Sequence, residues 1–168
     1  MFNNVILIGM PGSGKSTIGR LLSSKLSYGF YDTDKAIELN ENMTIEEMFE
    51  LKGEIYFREK ERMLINDLLK MNKYVISTGG GMPIYFDNLK RLKKTGITVF
   101  INSSLEVLIK RSPNLNNRPL LKDYAEKNMR SLYYERINIY NQCDIIVQDN
   151  GYNADYIAEA ITKKLFKY

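Results

Sequence analysis

The stretch from Gly9 to Thr17 constrains the fold of this chain more than any other part of the sequence. It reads GMPGSGKST, fits the pattern GxxxxGK[ST], and directly follows the apolar run Val5 to Ile8. Such a run is typical of a buried strand, and the glycines let the following loop bring consecutive backbone N–H groups close to a ligand. The stretch therefore predicts a strand that leads into a phosphate-binding loop.

The residues of this loop have separate expected tasks. Its three glycines, Gly9, Gly12 and Gly14, supply backbone turns with positive φ, and Lys15 supplies a positive charge for the β- and γ-phosphates of a nucleotide. The Ser16 hydroxyl suits Mg²⁺, which takes few protein ligands. Apolar residues at helical spacing follow: Ile18, Leu21, Leu22 and Leu26. A helix is therefore expected to begin at about Lys15, with its positive dipole end facing the same anion.

Composition narrows the class of protein. The chain has 168 residues, a net charge of +4, no histidine and a single cysteine, Cys143, so an internal disulfide is excluded. Basic and acidic residues are interleaved along the predicted helices, which disfavours a nucleic-acid-binding surface. No apolar run approaches the length of a membrane span. Without histidine, general-base chemistry near neutral pH would fall to carboxylates.

Apolar runs and helical patterns alternate along the rest of the chain. The predicted strands are Val5 to Ile8, Gly29 to Tyr31, Tyr74 to Ser77, Ile97 to Ile101 and Asp144 to Val147. Among the predicted helices are one that Thr44 and Glu47 cap and Gly53 ends, one over about 54–71, one over 84–94, and one that Ser103 and Glu106 cap. This alternation favours the α/β class, with three layers, α/β/α, around a five-stranded parallel sheet. No linker divides the chain, so residues 1–168 are expected to form a single domain.

Polar and glycine-rich segments follow the second and third predicted strands. Asp32 and Asp34 come directly after one strand, and Gly79 to Gly81 follow the next. Because ligands of parallel sheets bind beyond the carboxyl ends of the strands, both segments should meet the phosphate-binding loop at one crevice. Asp32 is suited to hold a water of Mg²⁺, whereas Asp34 could accept a hydrogen bond from an acceptor hydroxyl and take its proton. Either aspartate could instead be a turn residue or a helix cap, and Asp34 begins a predicted helix.

Four arginines are candidates for anion recognition near this crevice. Arg58 and Arg136 lie on helices predicted to flank the opening, and a guanidinium suits bidentate recognition of a carboxylate or phosphate, so a small anionic acceptor is expected. Arg118 lies in the segment 112–123, whose Pro and Asn content is typical of a mobile lid, and could stabilise the transferred phosphoryl group. Arg111 could stack on the adenine.

Six segments, in their order and spacing, together resemble the shikimate kinase family. They are the phosphate-binding loop, DTD at Asp32 to Asp34, KGEIYFREKE around Arg58, TGGG at Thr78 to Gly81, RPLL at Arg118 to Leu121, and YYERINIY around Arg136. The resemblance runs from about residue 5 to 148 and implies a P-loop kinase fold with a mobile lid over about 112–123. It also implies ATP-dependent phosphorylation of the 3-hydroxyl of shikimate, giving shikimate 3-phosphate and ADP on the way to chorismate and the aromatic amino acids.

The resemblance further implies a role for each matched position. ATP would be bound by Gly12, Ser13, Gly14, Lys15, Ser16, Thr17, Arg111 and Arg118. Shikimate would be bound by Asp34, Arg58, Gly79, Gly80, Gly81 and Arg136. The Mg²⁺ cofactor would be held by Ser16 and, through water, Asp32, and the catalytic residues would be Lys15, Asp34 and Arg118. A cytoplasmic monomer that binds neither nucleic acid nor membrane is expected.

Two alternatives remain open from the sequence. One is another small P-loop kinase, for gluconate or a nucleoside monophosphate, although the DTD and triple-glycine pair disfavours it. The other is a nucleotide-binding switch, or a basic nucleic-acid-binding module, without turnover of an acceptor. The adenine contacts are also open, because Gln148 to Gly151 lack the basic residue that similar proteins often place after the last strand.

Overall fold

A parallel β-sheet forms the middle layer of the protein. The computed structural model describes residues 3–111 and 125–168. Its five strands are β1 (Asn4–Ile8), β2 (Gly29–Asp32), β3 (Tyr74–Ser77), β4 (Ile97–Ser103) and β5 (Ile145–Asp149). They lie in the order β2-β3-β1-β4-β5, and every neighbouring pair is parallel. The carboxyl ends of these strands therefore lie along one edge of the sheet.

Helices cover both faces of this sheet. Within the described residues they are α1 (Lys15–Leu26), α2 (Thr33–Glu41), α3 (Ile45–Leu68), α4 (Asn88–Thr95), α5 (Leu105–Arg111), α6 (Ala125–Tyr140) and α7 (Ala154–Leu165). Successive residues of β1 point to opposite faces: Val5 and Leu7 belong to the core under α1 and α7, and Ile6 and Ile8 to the core under α3, α4 and α6. The predicted three-layer α/β class with a five-stranded parallel sheet is confirmed.

Most of the predicted helix and strand boundaries agree with the structure, and the exceptions have local causes. The helix expected over 84–94 begins only at Asn88, because Phe86 has a φ of 56° and cannot continue a right-handed helix. The capping box of Thr44 and Glu47 is confirmed, and Gly53 interrupts α3 with a φ of 82°. Across residues 3–111 and 125–168, every helix is too short or too polar to cross a bilayer.

The prediction that Ser103 caps a helix is wrong. Its hydroxyl donates to Asp149 Oδ2 at 2.7 Å, which links the ends of β4 and β5. The side chain that accepts from the first turn of α5 is instead Ser104, whose Oγ lies 3.3 Å from the backbone nitrogen of Val107. The two adjacent serines are indistinguishable as caps in sequence, and the pairing of β4 with β5 decides between them.

Candidate active site

The loop between β1 and α1 has the backbone geometry of a phosphate-binding loop. Gly12 and Gly14 have φ values of 81° and 80°, as predicted, whereas Gly9 does not have positive φ. Gly9 is needed for another reason, because a Cβ there would lie 2.9 Å from both the Ile101 carbonyl oxygen and Ser13 Oγ. The prediction of positive φ at Gly9 is therefore wrong, and this glycine instead allows the ends of β1 and β4 to approach closely.

Lys15 is the first residue of α1, and its side chain folds back over the loop. Its Nζ donates to the carbonyl oxygens of Gly9 at 3.0 Å and Met10 at 2.9 Å. The side chain borders a cavity of about 170 Å³, which is lined by Gly12, Gly14, Lys15, Ser16, Thr17, Asp32, Asp34, Ser77 and Thr78. The cavity therefore joins the loop to the ends of β2 and β3.

Asp32 acts both as a helix cap and as a partner of the loop. Its Oδ1 accepts from the backbone nitrogens of Asp34 at 3.1 Å and Lys35 at 3.3 Å, so α2 begins at Thr33, one residue earlier than expected. Its Oδ2 accepts from Ser16 Oγ at 2.6 Å. A hydroxyl and a carboxylate side by side provide oxygen ligands of the kind that Mg²⁺ prefers.

Each of the three glycines after β3 faces a different candidate side chain. A Cβ added to Gly79 would overlap with Asp34 Oδ1, and a Cβ added to Gly81 would overlap with Arg58 Nη1. A Cβ added to Gly80 would lie 3.1 Å from Arg136 Nη1. The backbone of this segment is thus in direct contact with one carboxylate and two guanidinium groups. The same position at Gly80 is 3.4 Å from the carbonyl oxygen of Gly9 in the phosphate-binding loop. Residues from four separate segments therefore meet at the end of β3.

Arg58 is held among carboxylates and aromatic rings and is only 4% exposed. Its Nη1 donates to Glu61 at 2.8 Å and its Nη2 to Glu54 at 2.7 Å. The ring of Tyr85 lies 4.4 Å from the guanidinium carbon, and the Tyr85 hydroxyl donates to Glu54. Burial alone would lower the pKa of Arg58, but the charge of Glu61 and the hydrogen bonds to Glu61 and Glu54 raise it. The guanidinium therefore keeps its charge although it is buried.

Glu61 is a fully buried carboxyl group one turn after Arg58 on α3. Burial raises the pKa of Glu61 to about 7, although Arg58 and Arg136 act to lower it. The loss of hydration on burial thus outweighs the attraction of the two arginines for the charged form of Glu61. Oε1 accepts no hydrogen bond from the described residues and lies 2.9 Å from where a Gly79 Cβ would be. Sequence reasoning missed Glu61, although an i,i+3 spacing to Arg58 indicates such a pair.

Helix α6 contributes two buried side chains one turn apart, Arg136 and Tyr140. Arg136 is 4% exposed and Tyr140 is fully buried. The Tyr140 hydroxyl donates to the carbonyl oxygen of Gly80 at 2.6 Å, and burial raises the pKa of Tyr140 to about 12. Tyr140 therefore remains a donor and holds the glycine segment against α6. Sequence reasoning missed this residue, since its tyrosine-rich surroundings on α6 do not single it out.

The two remaining arginine candidates differ in what the structure describes. Arg111 is the last residue of α5, and its Nη1 lies 3.5 Å from the carbonyl oxygen of Gly12 in the phosphate-binding loop. The same nitrogen donates to Asp149 at 2.8 Å. Arg118 and the predicted lid over 112–123 lie outside the described residues, so their roles stay predictions.

Comparison with known sequences identifies the family. The family described as "Shikimate kinase" matches residues 11–166. This chain belongs to the shikimate kinase family. A shikimate kinase from Clostridium botulinum (strain Kyoto / Type A2) is 47% identical over 166 residues, which cover 98% of each of the two chains.

Solved shikimate kinases share the fold across almost the whole chain. The shikimate kinase from Acinetobacter baumannii in complex with shikimate superposes with a TM-score of 0.94 at 32% identity, over 98% of this chain and 93% of that one. The shikimate kinase from Aquifex aeolicus gives 0.86 at 38% identity, over 97% and 96% of the two chains. A gluconokinase from Sinorhizobium meliloti is only 13% identical with a TM-score of 0.57, which shows a common fold alone.

Proposed function

We propose that this member of the shikimate kinase family transfers the γ-phosphoryl group of ATP to the 3-hydroxyl of shikimate, giving shikimate 3-phosphate and ADP. The observation that carries the proposal is the contact of three consecutive glycines with Asp34, Arg136 and Arg58. One carboxylate and two guanidinium groups beside a phosphate-binding loop suit an acceptor that has both hydroxyl groups and a carboxylate. The protein would act as a cytoplasmic monomer on the route to chorismate and the aromatic amino acids.

The phosphates of ATP would be bound by the loop and the start of α1. Backbone N–H groups of residues 12–17 and the positive end of the α1 dipole attract an anion there. Lys15 adds a full charge whose position is set by hydrogen bonds to Gly9 and Met10. Because these dipoles and this charge are already oriented, they need little rearrangement as negative charge develops on the transferred group.

Ser16 and Asp32 are the residues that would hold Mg²⁺. Their oxygens are 2.6 Å apart and both side chains line the cavity. Within residues 3–111 and 125–168, no three His, Cys, Asp or Glu side chains form a group that could bind a metal. This agrees with Mg²⁺, which usually takes one or two protein ligands together with water and substrate phosphates. When bound, the ion would neutralise charge on the β- and γ-phosphates.

The acceptor would lie between the loop and the end of β3. Asp34 lines the same cavity as Lys15, so a hydroxyl bound to Asp34 would face the terminal phosphate. Asp34 would accept the hydrogen bond of that hydroxyl and take its proton as the new oxygen–phosphorus bond forms. Arg58 and Arg136 would bind the ring carboxylate, and their burial strengthens this attraction relative to a surface pair. Arg118 would stabilise the transferred phosphoryl group.

The affinity for shikimate is expected to fall as pH rises through the pKa of Glu61, which is about 7. Below that pH Glu61 is neutral, so the positive charge of Arg58 is available to the substrate carboxylate. Above it, Glu61 carries a negative charge 2.8 Å from Arg58 and should weaken binding about fivefold, the effect of a coupling of somewhat less than one pKa unit. Titration calorimetry between about pH 6 and pH 8 measures this change.

The matched control for this pH dependence is Glu61→Gln, which is neutral at every pH. Its affinity for shikimate should vary little over the same range, while both proteins should bind ADP alike. A wild-type affinity that does not change with pH, or an equal slope in the Gln variant, would contradict the expected role of Glu61.

An assay with competing acceptors tests the proposed function directly. ADP release is measured with ATP, Mg²⁺ and, in parallel, shikimate, gluconate, AMP or no acceptor. Of the three acceptors, only shikimate is expected to accelerate ADP release. Acceleration by gluconate or AMP alone would indicate one of the other small P-loop kinases, and slow ADP release that no acceptor accelerates would indicate a nucleotide switch.

A further inference from the structure

Asp149, at the end of β5, is a buried carboxylate that the proposed reaction does not use. Its side chain is 1% exposed but contacts three different segments. Oδ2 accepts from Ser103 Oγ at 2.7 Å and from Arg111 Nη1 at 2.8 Å, and Oδ1 accepts from the Gly151 backbone nitrogen at 3.0 Å. A carboxylate is costly to bury unless its oxygens are paired. The three hydrogen bonds therefore stabilise the buried Asp149 and fix the positions of its three partners relative to one another.

Among these partners, Arg111 is the one that lies next to the phosphate-binding loop. It ends α5, its side chain is 34% exposed, and its Nη1 lies 3.5 Å from the Gly12 carbonyl oxygen. An arginine at a helix end would otherwise distribute over many rotamers, and fixing it costs conformational entropy. The ion pair with the buried Asp149 removes this freedom before any ligand binds. The guanidinium is thereby oriented beside Gly12, which lines the cavity between the phosphate-binding loop and the ends of β2 and β3, here called the phosphate cavity.

A second aspartate, Asp144, makes similar contacts at the other end of the same strand pair. Its Oδ2 accepts from Thr98 Oγ1 at 2.7 Å, and its Oδ1 accepts from Lys93 Nζ at 2.9 Å. Both aspartates thus connect β4 with β5 and pair with one cation. Asp144 does so at the amino ends of the strands, opposite to the cavity, whereas the cation of Asp149 reaches the phosphate-binding loop. Linking the strands therefore does not account for the position of Arg111.

We propose that Asp149 is a positioning residue for the nucleotide: it holds Arg111 beside the phosphate-binding loop so that the guanidinium is oriented in advance for the adenine ring. This inference rests on the proposed function, because it takes ATP as the phosphoryl donor. A planar cation stacks favourably on an aromatic ring, and orienting it beforehand lowers the entropic cost of binding. The contribution of the oriented Arg111 to the binding free energy should therefore come from contacts with the nucleoside part of ATP, and the phosphate contacts should be unchanged.

The test compares the binding of ADP and inorganic pyrophosphate, measured by calorimetry, in wild type and Asp149→Asn. The Asn side chain keeps the size of Asp149 and can still bond Ser103 and Gly151, but it loses the ion pair. The Kd for ADP should rise about threefold to tenfold, the range expected for losing an oriented cation–π contact. The Kd for pyrophosphate and for shikimate should stay within about twofold of wild type.

Asp144→Asn is the matched control, since it removes an ion pair of the same kind far from the cavity. It should lower the melting temperature without changing the Kd for ADP. In an Arg111→Ala background, Asp149→Asn should change the Kd for ADP by less than about twofold, because Asp149 acts through Arg111. If Asp149→Asn does not fold, Asp149→Glu, which keeps the charge but moves the carboxylate, must weaken ADP binding in the same way.

Three outcomes would overturn the role of Asp149 while the acceptor assay still succeeds. They are an unchanged Kd for ADP, an equal loss of ADP and pyrophosphate affinity, and an effect that persists at full size in the Arg111→Ala background. If the wild-type protein itself did not bind ADP, the proposed function would fail and this inference with it.

Discussion

Replacing Lys15 with methionine is expected to lower kcat by about a hundredfold to a thousandfold, the usual effect of removing one preorganised group that stabilises transition-state charge. Lys15 is buried beside the phosphate cavity, and its Nζ is held by the carbonyl oxygens of Gly9 and Met10. Methionine fills a similar volume but carries no charge, so the developing charge on the transferred phosphoryl group loses its nearest cation on α1. The steady-state rate of ADP release with saturating shikimate measures the effect.

Lys25→Met provides the control for this experiment. Lys25 lies in the last turn of the same helix and pairs with Asp155 at 3.1 Å near the surface. Losing such an exposed pair should cost at most about 1 kcal/mol of stability and leave kcat unchanged. If Lys15→Met kept more than about a tenth of the wild-type kcat, the assigned role of Lys15 in phosphoryl transfer would be wrong.

Replacing Arg136 with alanine is expected to raise the KM for shikimate about tenfold to a hundredfold, which corresponds to losing one charge-assisted hydrogen-bonded contact of about 1.5–3 kcal/mol. Arg136 is buried and its Nη1 faces Gly80 at the end of β3. The KM for ATP should stay within about twofold, because the side chain does not line the phosphate cavity. Initial rates with each substrate varied in turn separate the two constants.

Arg130→Ala is the matched control on the same helix. Arg130 is exposed and pairs with the exposed Glu126 on α6 at 3.0 Å, so its removal should change neither KM. A loss of ATP affinity in Arg136→Ala would mean that the residue has been assigned to the wrong substrate. Arg58→Ala is less informative, because it would leave the buried Glu61 without its partner and so change the stability of the protein as well as shikimate binding.

The segments that carry local signals could be predicted from the sequence. The apolar run before Gly9, the capping box at Thr44 and the alternation of strands with helices each depend on residues close in the chain. Local backbone preferences and periodic burial determine such features, so their positions agree with the structure within a few residues. The helix that begins late at Asn88 differs because positive φ at Phe86 is not encoded by a typical residue such as glycine.

The residues around the candidate site that sequence reasoning missed depend on contacts between distant segments. Tyr140 bonds the carbonyl of Gly80, sixty residues away in the chain, and Asp149 bonds Ser103 across two strands. Glu61 is a partial exception, since it is a close neighbour of Arg58, but its raised pKa results from complete burial. A carboxylate on an amphipathic helix resembles a solvated residue until the packing around it is known.

The order of motifs along the chain was enough to establish the phosphate-binding loop, the parallel α/β class and the candidate residues, because each motif encodes its own backbone geometry and chemistry. Only the folded arrangement decided that Gly79 to Gly81 lie against a carboxylate and two guanidinium groups, that burial raises the pKa of Glu61, and that Asp149 pairs with Arg111. These properties depend on distance and on exclusion of water, which arise when remote segments pack together.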